Sequence, residues 1–468
     1  MKHINILLVN PWIYDFAAYD FWIKPIGLLS IGNILERHGY QTHLIDCLDR
    51  WHPFNPSLKN KKYGTGKFIR TEVEKPAILK HIPRRYCRYG MPLDVFEKSL
   101  AALPSPEVIL VTSMMTYWYP GVRQAIRILK EKYPTIPLIL GGVYATLNYD
   151  HALKNMGADY VISGAGEIAA LQLVAKLTGQ SCDTTSEVKA EFPHPSFRYY
   201  FRLASVPILT STGCPYHCSF CASQLLSGKF RQRNPEEVIA EIEYLYRRRH
   251  VRQIAFYDDA LLMNAERHLM PILEGVLRKR IHVNFHTPNG MHPKLMTREL
   301  AQLMFQTNFK TLRLSYESGS ASRQADMGFK VTDDSLATAI DHLQAAGFRR
   351  HDLEVYVIMG LPDQTVAEVV HSMFNVARLG ARVKLTTFSP IPGTRDWKRA
   401  IESGLISPEI DPLLTNDSIF PLARPEFPYD MFQQIKSLSK VLNYGLDHGI
   451  NFFDMSEFAH LVRQYIRR

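Results

Sequence analysis

Residues 208–221 read Ile208-Leu209-Thr210-Ser211-Thr212-Gly213-Cys214-Pro215-Tyr216-His217-Cys218-Ser219-Phe220-Cys221. An apolar, β-prone run breaks at a glycine, and three cysteines follow at once. The chain holds six cysteines in 468 residues. The other three, Cys47, Cys87 and Cys182, are far apart. A secreted disulfide scaffold is shorter and denser in cysteine. Clustering in a cysteine-poor chain points instead to a metal site in a reducing compartment. Thiolates suit zinc and iron–sulfur clusters. Structural zinc takes four protein ligands, and no fourth cysteine lies near the loop, so a zinc knot requires a distant ligand. On a four-iron cluster, three thiolates leave one iron open to a substrate or cofactor.

Downstream of this loop, apolar strands alternate with amphipathic helical stretches. Candidate strands are 208–212, 253–257, 281–286, 311–316, 353–359 and 383–388, with helices such as 235–246 and 298–305 between them. Pro235-Glu236-Glu237 suits a helix start, with proline in the first turn and acids at the positive end of the dipole. Six such units predict an open (β/α)6 barrel over 204–399. From 400 to 468 the pattern turns to loop and helix, clearest at 431–446.

Upstream, the same alternation runs over residues 1–182. Strands are expected at 4–9, 42–46, 108–112, 137–140 and 160–162, with helices such as 26–37 and 121–132. This pattern predicts a parallel, doubly wound sheet, which binds ligands at the carboxyl ends of its strands. A Lys-, Arg-, Pro- and Tyr-rich stretch at about 51–95 interrupts the rhythm and reads as an insertion. Residues 183–203 read as a linker. Tyr117, Trp118 and Tyr119 read as core aromatics.

Composition narrows the class. The chain is 46% hydrophobic and 21% charged, which excludes wholesale disorder. No run approaches the roughly 18–20 apolar residues that span a bilayer. Residues 1–9 lack the long apolar region of a secretory signal, so a cytoplasmic protein is expected. The net charge is +10, but the basic residues are dispersed beyond short clusters such as Arg84-Arg85 and Arg247-Arg248-Arg249. Nucleic acid is not the expected partner.

The Cys-x3-Cys-x2-Cys spacing, with Phe220 before the last cysteine and Gly213 and Pro215 flanking the first, resembles the signature of the radical S-adenosylmethionine superfamily. Five further segments resemble family elements in order, each after a strand. They are Tyr257-Asp258-Asp259, the loop 285–290 (Phe-His-Thr-Pro-Asn-Gly), Leu314-Ser315-Tyr316-Glu317-Ser318-Gly319-Ser320, Gly360-Leu361-Pro362-Asp363-Gln364-Thr365, and Pro390-Ile391-Pro392-Gly393-Thr394. Gln364 stands where the family usually has Glu. The resemblance implies a 4Fe–4S cluster on Cys214, Cys218 and Cys221 whose open iron chelates S-adenosylmethionine. Reductive cleavage then yields methionine and a 5′-deoxyadenosyl radical. It also implies a cofactor site formed by Phe220, Asp258, Asp259, Ser315, Glu317 and Gly360. Glu317 is expected to hydrogen-bond the methionyl or ribose part, and Asp258 or Asp259 the amino group. Barrel active sites lie at that end of the strands.

The whole chain resembles the cobalamin-binding branch of this superfamily, in which a Rossmann-like (flavodoxin-type) domain precedes the barrel. Asn10-Pro11, Pro25-Ile26-Gly27-Leu28, Thr112-Ser113-Met114, Gly141-Gly142-Val143-Tyr144-Ala145-Thr146 and Gly164-Ala165-Gly166-Glu167 carry that resemblance. It implies cobalamin contacts from Asn10, Ser113, Gly141, Gly142, Gly164 and Glu167. Met115 stands where Leu is usual. The stretch 10–20 contains no histidine, so the resemblance implies cobalamin held without a protein histidine ligand.

The reaction the resemblance implies is methyl transfer to an unactivated centre of a small-molecule or natural-product-like substrate. An electron donor such as flavodoxin or ferredoxin is the implied partner. The alternatives are radical cyclisation, rearrangement or oxidoreduction without methyl transfer, and a non-enzymatic zinc module with a concentrated basic face. Substrate specificity is expected from 51–95 and 400–468, since variable segments on a fixed scaffold usually carry it.

Overall fold

The computed structural model describes residues 4–59, 61–182, 194–328 and 331–452. The first part of the sequence-read linker, 183–193, and the last part of the C-terminal region, 453–468, lie outside the described residues. The chain forms two compact units: 1–207 with 225–227 and 410–419, and 208–224 with 228–409 and the remainder from 420.

In the first unit the chain runs β1 (Asn5–Asn10), α1 (Ile26–Arg37), β2 (Gln41–Asp46), β3 (Val108–Val111), α2 (Tyr119–Lys132), β4 (Leu138–Leu140), β5 (Tyr160–Val161) and α3 (Glu167–Thr178). The sheet order is β5-β4-β3-β1-β2, and its pairs are parallel. The central strands β3 and β4 are apolar and buried at every position, because both faces are covered. Leu7, Val9, Ile109, Val111, Leu138 and Leu140 enter one core. Their alternating neighbours Ile6, Leu8, Val108, Leu110 and Ile139 enter the other. This is the flavodoxin-type order, with its switch point between β1 and β3.

The 51–95 insertion is more structured than its composition suggests. Cys87–Tyr89 pairs antiparallel with both Ile13–Asp15 and Arg70–Glu72. A second short pair joins Tyr19–Asp20 to Gly66–Lys67. The insertion therefore adds a small antiparallel sheet onto the segment that follows β1. Tyr117 and Tyr119 are buried, as their core reading expects. Trp118 is only half-buried and donates its indole N–H to Asp15 Oδ2 at 2.7 Å.

β6 (Val206–Ile208) leads into the second unit, which carries α4 (Pro235–Arg247), β7 (Gln253–Phe256), β8 (Asn284–His286), β9 (Phe309–Glu317), β10 (Leu353–Met359), α5 (Val366–Arg378), β11 (Arg382–Thr387), α6 (Arg395–Glu402) and α7 (Tyr429–Asp447). The sheet runs β6-β7-β8-β9-β10-β11 in chain order, and the four pairings from β7 to β11 are parallel. Here the strands alternate. Leu312, Leu314, Val355 and Val357 are fully buried. Their neighbours Arg313, Ser315, Glu354 and Tyr356 share the other, polar face through the register Arg313↔Glu354 and Ser315↔Tyr356. Asn234 caps α4 by accepting from Glu236 N at 2.9 Å. The edge of β11 is closed by Asn443 of α7, which accepts from Val383 N (2.8 Å) and donates to Val383 O (2.9 Å).

Two expectations are corrected. The run 208–212 is not one strand: β6 ends at Ile208, and Ser211–Thr212 pairs antiparallel with Arg231–Gln232. The cause is Asp258, whose Oδ1 captures Thr210 and Ser211 and turns the chain out of the sheet. The region from 400 onward is also not one body, because 410–419 packs within the first unit. Asn416 Nδ2 donates to Asp15 Oδ1 (3.0 Å), and Tyr119 OH donates to the Asp411 carboxylate (3.1 and 3.2 Å).

Candidate active site

The cysteine loop starts at Gly213, whose φ of +74° lies in the left-handed region. A Cβ there would stand 2.9 Å from Gly228 O and 3.0 Å from Lys229, so only glycine lets the loop close on that backbone. Cys214 is buried, Cys218 half-buried and Cys221 exposed. Gln224 Nε2 ties the loop from inside by donating to Cys214 O. Ser223 donates its N–H to Cys221 Sγ (3.5 Å), and its hydroxyl lies 3.2 Å from the same sulfur. Burial pushes the Cys214 thiol up to about 11, with Cys218, Cys221 and Asp259 adding to the rise.

Sequence reasoning missed what holds the loop from outside. Ser219 lies between the second and third cysteines. Its hydroxyl donates to Asp396 Oδ2 (2.8 Å), and its carbonyl accepts from Asp396 N (3.0 Å). Asp396 is fully buried in the first turn of α6. Next to it, Arg395 donates to His217 O (2.7 Å) and Asp326 O (2.6 Å). The only sequence signal was the Thr394 that caps α6 at the end of the Pro390–Thr394 segment.

The two aspartates after β7 differ. Asp258 is buried, and its Oδ1 accepts from Thr210 N (3.0 Å), Thr210 Oγ1 (2.7 Å) and Ser211 Oγ (2.6 Å). Its Oδ2 is buried without a hydrogen-bond partner. Burial raises this carboxyl to about 6 despite the four hydroxyl and backbone donors that oppose the rise. Asp259 is half-buried, and burial raises its carboxyl while a Ser223 hydrogen bond lowers it. Asn289 braces this strand end by donating to Tyr257 O and Asp258 O.

Glu317 closes β9 with φ +68°, at a register shift where Ser315 faces Tyr356 and Glu317 faces Val357. A left-handed glutamate costs about 1–3 kcal/mol and persists only where its surroundings enforce it. Here Ser318 Oγ donates to Glu368 Oε1 (2.6 Å), which also accepts from Arg323 Nε (3.0 Å). Ser315 is buried beneath Gly290, where a Cβ would meet its hydroxyl at 2.3 Å. Gly360 is a packing glycine: its φ is +98°, and Phe420 would meet a Cβ at 2.6 Å. Phe220 is half-buried within the cysteine loop.

In the first unit, four of the candidate cobalamin residues meet. Ser113 Oγ donates to Gly141 O (2.7 Å) and accepts from Ala145 N (3.2 Å). Gly142 has φ +96°, and a Cβ would stand 2.3 Å from Ser113 O. Thr146, at the end of the 141–146 segment, bridges Gly142 O (2.8 Å) to the N–H of exposed Gly164 (3.0 Å). Glu167 starts α3, half-buried. Asn10 is 1% exposed, and its amide donates to Asp46 Oδ1 at 2.6 Å.

A profile of the radical SAM superfamily matches residues 208–375, and one of the B12 binding domain matches 89–174. The chain belongs to the radical S-adenosylmethionine (radical SAM) superfamily, in its cobalamin-binding branch. It is 24% identical over 331 residues to an uncharacterised methyltransferase of Pyrococcus horikoshii, covering 64% of this chain and 71% of that protein. Cytidylyl-2-hydroxyethylphosphonate methyltransferase of Streptomyces wedmorensis is 20% identical, over 87% of this chain and 84% of that one. The radical SAM methyltransferase TsrM from Kitasatospora setae, solved with cobalamin and a 4Fe–4S cluster bound, shares the fold. Its TM-score is 0.62 at 16% identity, covering 84% of this chain and 77% of that one.

A radical SAM enzyme of this branch uses a 4Fe–4S cluster, S-adenosylmethionine and cobalamin, and the residues present fit all three. Among the described residues no three His, Cys, Asp or Glu side chains are grouped as a single ion needs. A cluster makes a different demand, one thiolate for each of three irons, and a loop of three thiols supplies it. The buried Asp258 Oδ2 and the strained Glu317 offer acceptors at the strand ends. At Gly141 a Cβ would meet nothing closer than Ile162 O at 3.9 Å, so a flat ligand can approach the backbone there closely. No helix among the described residues is long and apolar enough to cross a membrane.

Proposed function

We propose that this radical SAM enzyme transfers a methyl group to an unactivated centre of its substrate. When bound, the cluster supplies the electron that cleaves S-adenosylmethionine to methionine and a 5′-deoxyadenosyl radical, and cobalamin carries the methyl group. The chain's own residues hold the reactants. Cys214, Cys218 and Cys221 ligate the cluster. Glu317 accepts hydrogen bonds from the ribose or methionyl part of S-adenosylmethionine. Asp258, through the Oδ2 that Thr210 and Ser211 leave unengaged, or Asp259 accepts from the cofactor's amino group. Ser113, Gly141, Gly142, Gly164 and Glu167 line the cobalamin site. Phe220 and the ring of strand ends keep water from the reacting atoms.

The observation that carries this reading is the strained Glu317, at the end of β9 in the sheet whose first strand β6 precedes the cysteine loop, with the next residue, Ser318, tied to Glu368 and Arg323. The substrate takes its class from no relative. The test is anaerobic incubation of the reconstituted enzyme with S-adenosylmethionine, cobalamin and a low-potential reductant. Methyl transfer yields both S-adenosylhomocysteine and 5′-deoxyadenosine. 5′-Deoxyadenosine alone would move the reaction to cyclisation, rearrangement or oxidoreduction. Glu317→Ala is expected to weaken S-adenosylmethionine binding by about tenfold, the worth of a lost charge-assisted hydrogen bond, with iron content unchanged. Equal binding in that variant removes Glu317 from the site.

A further inference from the structure

The fold fixes the residue two places after the last cysteine. Ser223 opens a five-residue helix, Ser223–Ser227. Ala222 before it is buried. Gly228 after it lies so close to Gly213, at the head of the cysteine loop, that a Cβ on Gly213 would stand 2.9 Å from Gly228 O. Between these points Gln224 Nε2 donates to Cys214 O and, at 3.4 Å, to Tyr216 O. The short helix is thus tied at its start, middle and end, and Ser223 stands at a set place beside Cys221.

Two groups of Ser223 reach the Cys221 sulfur: the N–H at 3.5 Å and the hydroxyl at 3.2 Å. Cys214 also draws on a backbone donor two residues on, from Tyr216. The N–H contact therefore belongs to the turn, whereas the hydroxyl belongs to the choice of serine. As a thiol, Cys221 donates to the Ser223 oxygen. A cysteine on iron has given up that proton, so its sulfur accepts, and the Ser223 hydroxyl turns about its C–O bond to donate. Hydrogen bonds to cluster sulfurs help set the reduction potential, because reduction adds negative charge that a donor stabilises. Cys221 is exposed, so water is the rival donor, but ordering a water has an entropic cost that the anchored hydroxyl avoids. The same hydroxyl also reaches Asp259. Reduction adds charge at the sulfur and not at the carboxylate, which draws the hydroxyl toward Cys221.

We propose that Ser223 is a positioning residue for the cluster, its hydroxyl donating to the Cys221 thiolate and raising the cluster's reduction potential. The proposal rests on the cluster reading above, since it takes Cys221 as an iron ligand. A higher potential makes the cluster easier for an electron donor to reduce and lowers the driving force of the cleavage that follows. Ser223 therefore sets the balance between the two electron transfers.

The test is a potentiometric titration of the anaerobically reconstituted full chain without S-adenosylmethionine, followed by the cluster's visible absorbance, with iron per chain read in the same samples. Ser223→Ala keeps the N–H and removes the hydroxyl. Its cluster is expected to be about tenfold harder to reduce, a fall of about 59 mV for one electron. Ser223→Thr is expected to restore most of the difference, and Ser227→Ala, in the same helix, to leave the potential at the wild-type value. A potential in Ser223→Ala equal to wild type, or an equal fall in Ser227→Ala, overturns the proposal. If Ser223→Ala loses its iron, the potential is read in Ser223→Gly, which also lacks the hydroxyl; loss of iron in both makes the hydroxyl a folding contact and overturns the proposal too. Iron that never loads in wild type counts against the cluster reading, and this proposal falls with it. Iron that loads with an unmoved potential counts against Ser223 alone.

Discussion

Gln364 shows what a single departure from a family pattern means. Its Oε1 accepts from Gly360 N (2.7 Å) and Leu361 N (3.3 Å), while its Nε2 donates to Ile358 O (2.9 Å) and Glu368 Oε1 (3.4 Å). A carboxylate can do the first job but not the second, and it would face Glu368 with like charge. Gln364→Glu is expected to cost about 1–3 kcal/mol, the price of a buried group left without its partner, and to lower the melting temperature. An unchanged melting temperature would mean the amide is not needed. His286 gives the pH dependence. It is fully buried between Gln253 and Thr311, and burial lowers it to about 3, with Arg313 and Lys310 adding to the fall. The unfolded chain takes up this proton near pH 6.5, and the folded chain does not until near pH 3. Stability from this residue is therefore present above about pH 6.5 and is lost on acidification. Between pH 7 and 5 the loss is about 2 kcal/mol. His286→Gln is expected to show a correspondingly smaller fall over that range in thermal denaturation. At this scale the cysteine loop stood out in the sequence, because three thiols in eight residues have few other uses. The pairing of Asn10, at the end of β1, did not: its amide donates to Asp46 Oδ1, a contact that residues 36 apart do not advertise.

Among the elements, the cysteine loop depends on α6. Ser219 and Asp396 exchange hydrogen bonds in both directions, and Arg399 holds the second carboxylate oxygen at 3.1 Å. Asp396→Ala leaves the buried Ser219 hydroxyl unmatched beside the cysteines. Iron is expected to leave this variant several-fold faster than wild type when a chelator is added. A retention time equal to wild type would make the contact incidental. Strand and helix positions were readable from period-2 and 3.6 alternation, since burial on one face or two leaves that trace. The split of 208–212 was not readable, because it is set by Asp258 nearly fifty residues downstream and not by local preference. The insertion's antiparallel sheet was hidden for a similar reason: its strands are three residues long or shorter.

For the whole molecule, the order of two α/β series was legible because each strand–helix pair leaves its own mark in the sequence. The path of 410–419 was not, since Asp411 and Asn416 meet Tyr119 and Asp15 across roughly three to four hundred residues. The account of the chain is that one polypeptide carries a three-cysteine cluster in its barrel and cobalamin in its sheet domain. The most direct test is iron and cobalamin per chain after anaerobic reconstitution, in wild type and in Cys218→Ala. About four irons and about one cobalamin are predicted for wild type, with loss of iron but not of cobalamin in Cys218→Ala. Iron that survives in that variant, or wild type that takes up iron without cobalamin, would contradict the account.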